Sequence, residues 1–264
     1  MTSKFDVAHN AIQGARDYQE DFCDVTIAGD PVSRADDIIE IGDSGELLAV
    51  LADGMGGHVG GAEASALACR SFMAAYKGTN GLPQERMAAA LAACNHAIAE
   101  RIQSHAALDG MGCTFLGVLF DSSGMRWISV GDSILYIYRD NLLWQLNEDH
   151  SMAPVLDKLV DQGKMDREEA VKHPQRHHLR SALTGSQIDL IQLRDQAMLL
   201  QEQDWILIAS DGIQTLEPNE IEKIVEEYGQ SGSRQVVAAI LEAVDAAREP
   251  YQDNTSVIAI SPVI

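Results

Sequence analysis

Short apolar runs, each closed by glycine or aspartate, dominate the hydrophobic pattern of this 264-residue chain. Such runs read as strands. They fall at about 22–28, 46–52, 113–120, 126–130, 134–139, 142–146, 188–193, 197–201, 205–210 and 255–261. Between them the period lengthens to that of a helix. Residues 62–77 and 84–107 are alanine-rich, with apolar positions at helical spacing. Pro83 suits the first turn of the second of these. Residues 218–228 begin at Pro218 and stop before Gly229, and residues 234–248 follow Ser233 as an N-cap. Strands arrive in hairpin-like groups and helices in pairs, without strict βαβ alternation. That order predicts an α+β layered arrangement, antiparallel sheets with helices packed outside. No repeat, low-complexity tract or linker interrupts it, and the length suits one large domain or two small ones. The exception is 147–186, a polar stretch with Gly163, Pro174 and short helical pieces at Ala153–Gln162 and Arg167–Lys172. It reads as an excursion from the sheet, of the kind that often forms a flap.

Four aspartates sit at the edges of the apolar runs. Asp53 ends Leu47–Ala52, Asp211 ends Trp205–Ser210, Asp253 precedes Thr255–Ile260, and Asp132 interrupts the pair Trp127–Val130 and Ile134–Tyr138. A carboxylate where a strand leaves the core is partly desolvated, at a cost of several kcal/mol unless a cation compensates. One such residue is ordinarily a turn or a helix cap. Four, two of them followed by glycine (Gly54 and Gly212), suggest convergence on a divalent cation. With oxygen donors and no His or Cys pattern nearby, the ion expected is Mg²⁺ or Mn²⁺.

Composition narrows the partners. The formal net charge is −21, which repels nucleic acid and anionic membrane. It repels a phosphorylated substrate too, so phosphate chemistry here needs local positive charge. Solubility accounts for the charge equally well. No apolar stretch approaches the ~20 residues of a membrane span, and the N-terminus lacks a signal-peptide pattern; a cytoplasmic location is expected. Cys23, Cys69, Cys94 and Cys113 are scattered without a CxxC, which fits reduced thiols.

Two further segments carry candidate chemistry. Asp53-Gly54-Met55-Gly56-Gly57-His58 places a glycine-rich turn directly after a strand, where backbone carbonyls can approach a ligand closely. Arg16-Asp17-Tyr18-Gln19-Glu20-Asp21 precedes another strand. It reads either as a solvated charged turn or as a phosphate fork at Arg16, with Glu20 and Asp21 holding waters around a metal.

Together these pieces resemble the metal-dependent protein serine/threonine phosphatases of type 2C in their bacterial form. The matching residues are Arg16 with Glu20-Asp21, the Asp53–His58 turn, Gly112-Cys113-Thr114, Gly131-Asp132-Ser133, Ser210-Asp211-Gly212 and Asp253-Asn254. Each is weak alone; six in the family's order are strong. Asp149-His150-Ser151, Glu168-Glu169-Ala170, His173-Pro174 and Leu183-Thr184-Gly185 also resemble the bacterial flap region.

The resemblance implies a single domain over 1–264, a four-layer α-β-β-α sandwich of two antiparallel sheets flanked by helix pairs, with metals at one end. It implies that Asp53 bridges two ions, that Asp211 and Asp253 hold the first, and that the Gly54 carbonyl holds the second. Glu20 and Asp21 would bind through water, Asp132 would serve a third, looser ion, and Arg16 would bind the phosphate of phosphoserine or phosphothreonine. A metal-activated water would then attack phosphorus. His58 is a candidate donor of the leaving-group proton, or simply a surface residue in a glycine turn. The partners implied are phosphorylated proteins and a cognate bacterial serine/threonine kinase.

The chain departs from the family's pattern at Thr215, where a further aspartate is common. That puts the third metal in question. Arg176-His177-His178-Leu179-Arg180 is also richer in His and Arg than expected, as a contact for an acidic substrate or as a solvated loop. A two-metal nuclease is opposed by the net charge. A binding module without catalysis is opposed by the presence of Asp53, Asp211 and Asp253.

Overall fold

Every residue of Leu47–Ala52 is buried, so this strand needs an apolar neighbour on each face. Alternate side chains of a strand point to opposite faces. Leu47, Ala49 and Leu51 accordingly join Phe5, Val7, Leu116, Val118, Ile206 and Ile258 in one buried cluster. Leu48, Val50 and Ala52 join Ala64, Phe72, Met87 and Leu91 in another. A third cluster sets Leu207, Val257 and Ala259 against Ile221, Val225, Val237 and Ile240. Three apolar layers between four layers of secondary structure follow. Burying each Leu or Ile contributes about 1.5–3 kcal/mol.

The computed structural model describes residues 3–27, 30–31, 38–42, 44–57 and 59–263. In chain order the elements are β1 (Ser3–Ile12), β2 (Phe22–Ile27), β3 (Asp30–Pro31), β4 (Ile38–Ile41), β5 (Leu47–Ala52) and β6 (Gly54–Met55). Then come α1 (Val59–Gly78), α2 (Pro83–Ser104), β7 (Gly112–Cys113), β8 (Phe115–Asp121), β9 (Gly124–Val130), β10 (Ile134–Arg139) and β11 (Leu142–Gln145). The rest are α3 (Ala153–Asp161), α4 (Arg167–Val171), β12 (Gln192–Met198), β13 (Trp205–Ala209), α5 (Pro218–Tyr228), α6 (Ser233–Ala247) and β14 (Thr255–Val263).

One sheet runs β11-β10-β13-β14-β1-β4, the other β12-β9-β8-β5-β2-β3. Their pairings are antiparallel, as expected. The sheets face each other across the Leu47 cluster. The helix pair α1–α2 covers the second sheet, and α5–α6 covers the first. Both proline-led helices are closed by a glutamate reaching back. Leu82 N–H donates to Glu85 Oε2 at 3.1 Å, and Glu217 N–H donates to Glu220 Oε2 at 2.8 Å. No helix among the described residues is long and apolar enough to cross a membrane. All four cysteines are free, and burial pushes the Cys94 thiol up to about 12.

Three local expectations are corrected. The strands expected at 188–193 and 197–201 are one irregular strand, β12, whose register slips between Arg194 and Met198. The slip explains the apparent break in its pattern. Ser233 is not the N-cap of α6: it is the first helical residue, after Gly232 at φ 98°. The exposed helix end is met instead by Asp6 of β1, which accepts from Ser233 N–H at 2.7 Å and from its hydroxyl at 2.6 Å. That use of Asp6 puts a charge in the middle of β1 and hides the strand, which is absent from the expected set along with β4.

The polar excursion 147–186 carries α3 and α4 near their expected bounds. It is tied back at both ends. His150 N–H donates to Gly131 O at 3.1 Å, and Leu183 pairs with Cys113 through two backbone hydrogen bonds of 2.9 and 3.0 Å.

Candidate active site

Asp53, Asp132, Asp211 and Asp253 all emerge at one end of the sandwich. Asp53 follows β5, Asp132 lies in the β9–β10 turn, Asp211 opens the turn after β13, and Asp253 precedes β14. They line one cavity of about 690 Å³ together with Arg16, Glu20 and Gly54.

The backbone around Asp53 is held on both sides. Asp53 N–H donates to Thr114 Oγ1 at 2.9 Å, and Thr114 N–H returns to Asp53 O at 2.9 Å. The Thr114 hydroxyl also lies 2.6 Å from that of Ser133, which ties the Asp53 turn to the Asp132 turn. Gly54 must be glycine here. A Cβ on it would lie 2.2 Å from Gly61 O and 2.6 Å from Glu20 O. Gly131 needs the same freedom, at φ 99° with Thr114 packed against it.

Asn254 organises the Arg16–Asp21 segment. Its Nδ2 donates to Gln13 O at 2.8 Å and Tyr18 O at 3.0 Å, and its Oδ1 accepts from Glu20 N–H at 2.8 Å. Asp21 is clamped from below by the Ser210 hydroxyl, 2.7 Å from Oδ2. Thr114, Ser133, Ser210 and Asn254 all lie in the sequence motifs, but sequence reasoning assigned them no role. For Ser133, Ser210 and Asn254 the signal was a short polar residue beside Asp132, Asp211 and Asp253; Thr114 has no aspartate beside it in the sequence.

The electrostatics are those of carboxylates crowded without enough positive charge. Burial raises the Asp53 carboxyl well above its usual range, and Asp21, Asp211, Asp132 and Asp253 raise it further. Asp132 is pushed up to about 7 by burial and by Asp211 and Asp149. Asp21 is raised to about 6 by burial, offset in part by the Ser210 hydrogen bond. Asp211 is raised by burial and by Asp253, with a hydrogen bond to Asp53 working the other way.

Among the described residues, two buried carboxylate oxygens, Asp21 Oδ1 and Asp211 Oδ1, have no hydrogen-bond partner. Leaving such oxygens bare costs a few kcal/mol. An all-oxygen set with unsatisfied buried lone pairs fits a hard divalent cation. Among the described residues no three Asp, Glu, His or Cys side chains close into a complete cage. Mg²⁺-type sites characteristically use few carboxylates and fill the remaining positions with water, so the donor set still fits.

Arg16 borders the aspartate cavity. Its guanidinium is ion-paired with Asp253, which compensates part of the crowded negative charge. Thr215 is also committed, its hydroxyl donating to Gln252 Oε1 at 2.7 Å. Gln252 in turn donates to Gly212 O at 3.3 Å. The position that commonly carries an aspartate is thus wired into the backbone under Asp211. His58 lies outside the described residues. His150, buried at 3% exposure, accepts from Gly131 N–H through Nδ1 at 3.2 Å. Burial holds its pKa below the usual value, which suits this neutral acceptor role.

In the excursion, Arg176 forks Asp157 at 2.9 and 3.0 Å. His177, His178 and Arg180 line the aspartate cavity. The His/Arg-rich stretch therefore divides into Arg176, which holds the excursion together, and His177 to Arg180, which border the site.

Comparison with known proteins gives a consistent family. Residues 32–254 match the family model of protein phosphatase 2C. The serine/threonine protein phosphatase PstP of Mycobacterium tuberculosis is 33% identical over 226 residues, covering 83% of this chain and 41% of that protein. The chain thus spans about two fifths of that relative's length. The serine/threonine phosphatase stp of Listeria monocytogenes is 31% identical over 185 residues, 68% of this chain and 71% of that protein. Among solved structures, the M. tuberculosis phosphatase PstP/Ppp superposes with a TM-score of 0.75 at 27% identity, covering 98% of both chains. The catalytic domain of PstP in complex with two manganese ions superposes at 0.73 with 26% identity, over 100% of both chains.

Proposed function

The chain belongs to the protein phosphatase 2C family, and on that footing we propose that it is a metal-dependent protein serine/threonine phosphatase. The observation that carries the reading is the pair of unpartnered buried oxygens on Asp21 and Asp211, inside a cavity whose carboxylates are held above their usual pKa. The manganese-bound relative supports the same metal class.

In this reading Asp53, Asp211 and Asp253 with the Gly54 carbonyl hold two ions, Mn²⁺ or Mg²⁺. Glu20 and Asp21 hold waters around them, and Asp132 serves a weaker third. Bound there, such cations supply a water acidified toward neutral pH and neutralise the phosphoryl oxygens. The chain's own part is positioning. Thr114 and Ser133 fix the Asp53 and Asp132 turns, and Asn254 fixes the segment bearing Arg16. With Asp253 engaged by a cation, Arg16 would be released from its ion pair, and its planar fork would meet the substrate phosphate. His58, which follows Gly57 in the sequence, would deliver the proton to the departing seryl or threonyl oxygen. Residues 1–264 act as one domain, with 147–186 as its flap, on cytoplasmic phosphoproteins made by a serine/threonine kinase.

The test is hydrolysis of a phosphothreonine peptide. Turnover is expected with Mn²⁺ or Mg²⁺ and lost on exhaustive chelation; turnover that survives EDTA overturns the reading. Arg16→Ala should lower kcat/KM roughly tenfold to a hundredfold, the worth of a charged bidentate contact, while Mn²⁺ affinity stays within a few-fold. An unchanged kcat/KM returns Arg16 to a pairing role with Asp253.

A further inference from the structure

The flap places an unspent positive charge on the wall of an acidic cavity. Three basic side chains of this region differ in what they already hold. Arg176 is locked onto Asp157, and Lys172 pairs with Glu168 at 2.7 Å. Arg180 is exposed, lines the cavity, and has no ion pair or side-chain hydrogen bond among the described residues. Its backbone is nonetheless rigidly placed. Arg180 N–H donates to His150 O at 2.8 Å, and Met152 N–H donates to His178 O at 3.0 Å. His150 N–H is itself fixed on Gly131 O at 3.1 Å, next to Asp132. The position of this wall relative to the aspartates is therefore set by backbone hydrogen bonds and not by loop drift.

His177 and His178 stand beside Arg180 on the same wall. His177 is close enough to Asp211 to stabilise its charge. Gln187 and Asp189 also line the cavity. The chain as a whole carries a formal net charge of −21, so an acidic peptide is repelled at long range and needs a local cation to hold it. An arginine held in place yet without a carboxylate is poised to take an anion that arrives with the ligand.

We propose that Arg180, flanked by His177 and His178, binds an anionic group adjacent to the phosphorylated residue, so that the preferred substrates are phosphopeptides with an acidic neighbour. The anion is a carboxylate side chain or a second phosphate; the two share the fork geometry that a guanidinium meets. The inference rests on the phosphatase reading above, and it assigns Arg180 to the neighbour, not to the reacting phosphate.

The test uses wild-type enzyme with Mn²⁺ and five substrates. These are p-nitrophenyl phosphate and phosphothreonine peptides of equal length flanked by glutamine, by glutamate, by lysine, or by a second phosphothreonine. At low salt, kcat/KM for the glutamate peptide should exceed that for the glutamine peptide about five- to tenfold, and the lysine peptide should be poorest. Added salt should compress the differences. Preference for the doubly phosphorylated peptide over the glutamate peptide identifies the second phosphate as the anion; the reverse identifies the carboxylate. Arg180→Gln should level the glutamate and glutamine peptides, Arg180→Lys should keep most of the preference, and Arg180→Glu should favour lysine. Equal rates on all flanks in wild type, with p-nitrophenyl phosphate still hydrolysed, overturn the proposal alone. So does an Arg180→Gln variant that slows every substrate by the same factor, because Arg180 then meets the reacting phosphate. Failure to hydrolyse any of the five overturns the phosphatase reading itself.

Discussion

Asp53→Asn should reduce kcat by roughly a thousandfold, because the proposed bridging ligand supplies several kcal/mol of transition-state stabilisation through the ions it holds. The substitution is nearly isosteric. The backbone hydrogen bonds that fix residue 53, both to Thr114, survive the change, and the amide can still donate in the side-chain hydrogen bond to Asp211. The loss is therefore electrostatic and local. A second readout separates it from misfolding. In the metal-free protein Asp53 is buried and repelled by Asp21, Asp211, Asp132 and Asp253. An amide removes that repulsion, so metal-free Asp53→Asn should resist urea at neutral pH at least as well as wild type. Wild-type turnover by the variant under saturating Mn²⁺ contradicts the assignment of Asp53.

The acidic cluster was legible because its aspartates end strands that are apolar on both faces. Leu47–Ala52, Trp205–Ala209 and Thr255–Val263 each fill two core layers, and an uninterrupted apolar run that stops at Asp is hard to read otherwise. β1 was not legible for the opposite reason. Asp6 sits mid-strand to serve the end of α6, a tertiary debt that no local pattern announces. The irregular β12 looked like two strands because its register slips. The Arg16–Asp253 ion pair joins residues 237 apart in the chain, and Thr215 meets Gln252 across 37; spacing alone does not reveal such partners. The His/Arg stretch was visible as composition. Its division between Arg176, spent on Asp157, and Arg180, facing the cavity, required the folded backbone.

The second large effect is on stability. Asp21 and Asp132 have folded-state pKa values of about 6 and about 7, against an ordinary value of 3.8. A carboxyl whose pKa is raised by folding holds its proton more tightly in the folded state. Its contribution is fully present below about pH 4 and is lost as pH rises through 6 and 7. The loss is on the order of 3 kcal/mol for Asp21 and on the order of 4 kcal/mol for Asp132, a large share of a typical domain's stability. Asp157 works in the opposite direction, lowered by its hydrogen bond to Arg176. That pair is solvent-accessible and contributes little. The metal-free protein should therefore weaken between pH 5 and 8, where most proteins are near their best.

A divalent cation should reverse this, since it compensates the deprotonated carboxylates and binds only the folded arrangement. At a hundred times its dissociation constant, one bound ion adds about 2.7 kcal/mol, and the gain should shrink at low pH, where protons compete for the same oxygens. Urea unfolding of wild type at pH 5 and pH 7.5, each in EDTA and in saturating Mn²⁺, measures this directly. The cluster, acting as a cation site, predicts a metal-free midpoint that falls from pH 5 to pH 7.5 and a Mn²⁺ shift that is much larger at pH 7.5. Superimposed curves with and without Mn²⁺ at pH 7.5 would contradict it.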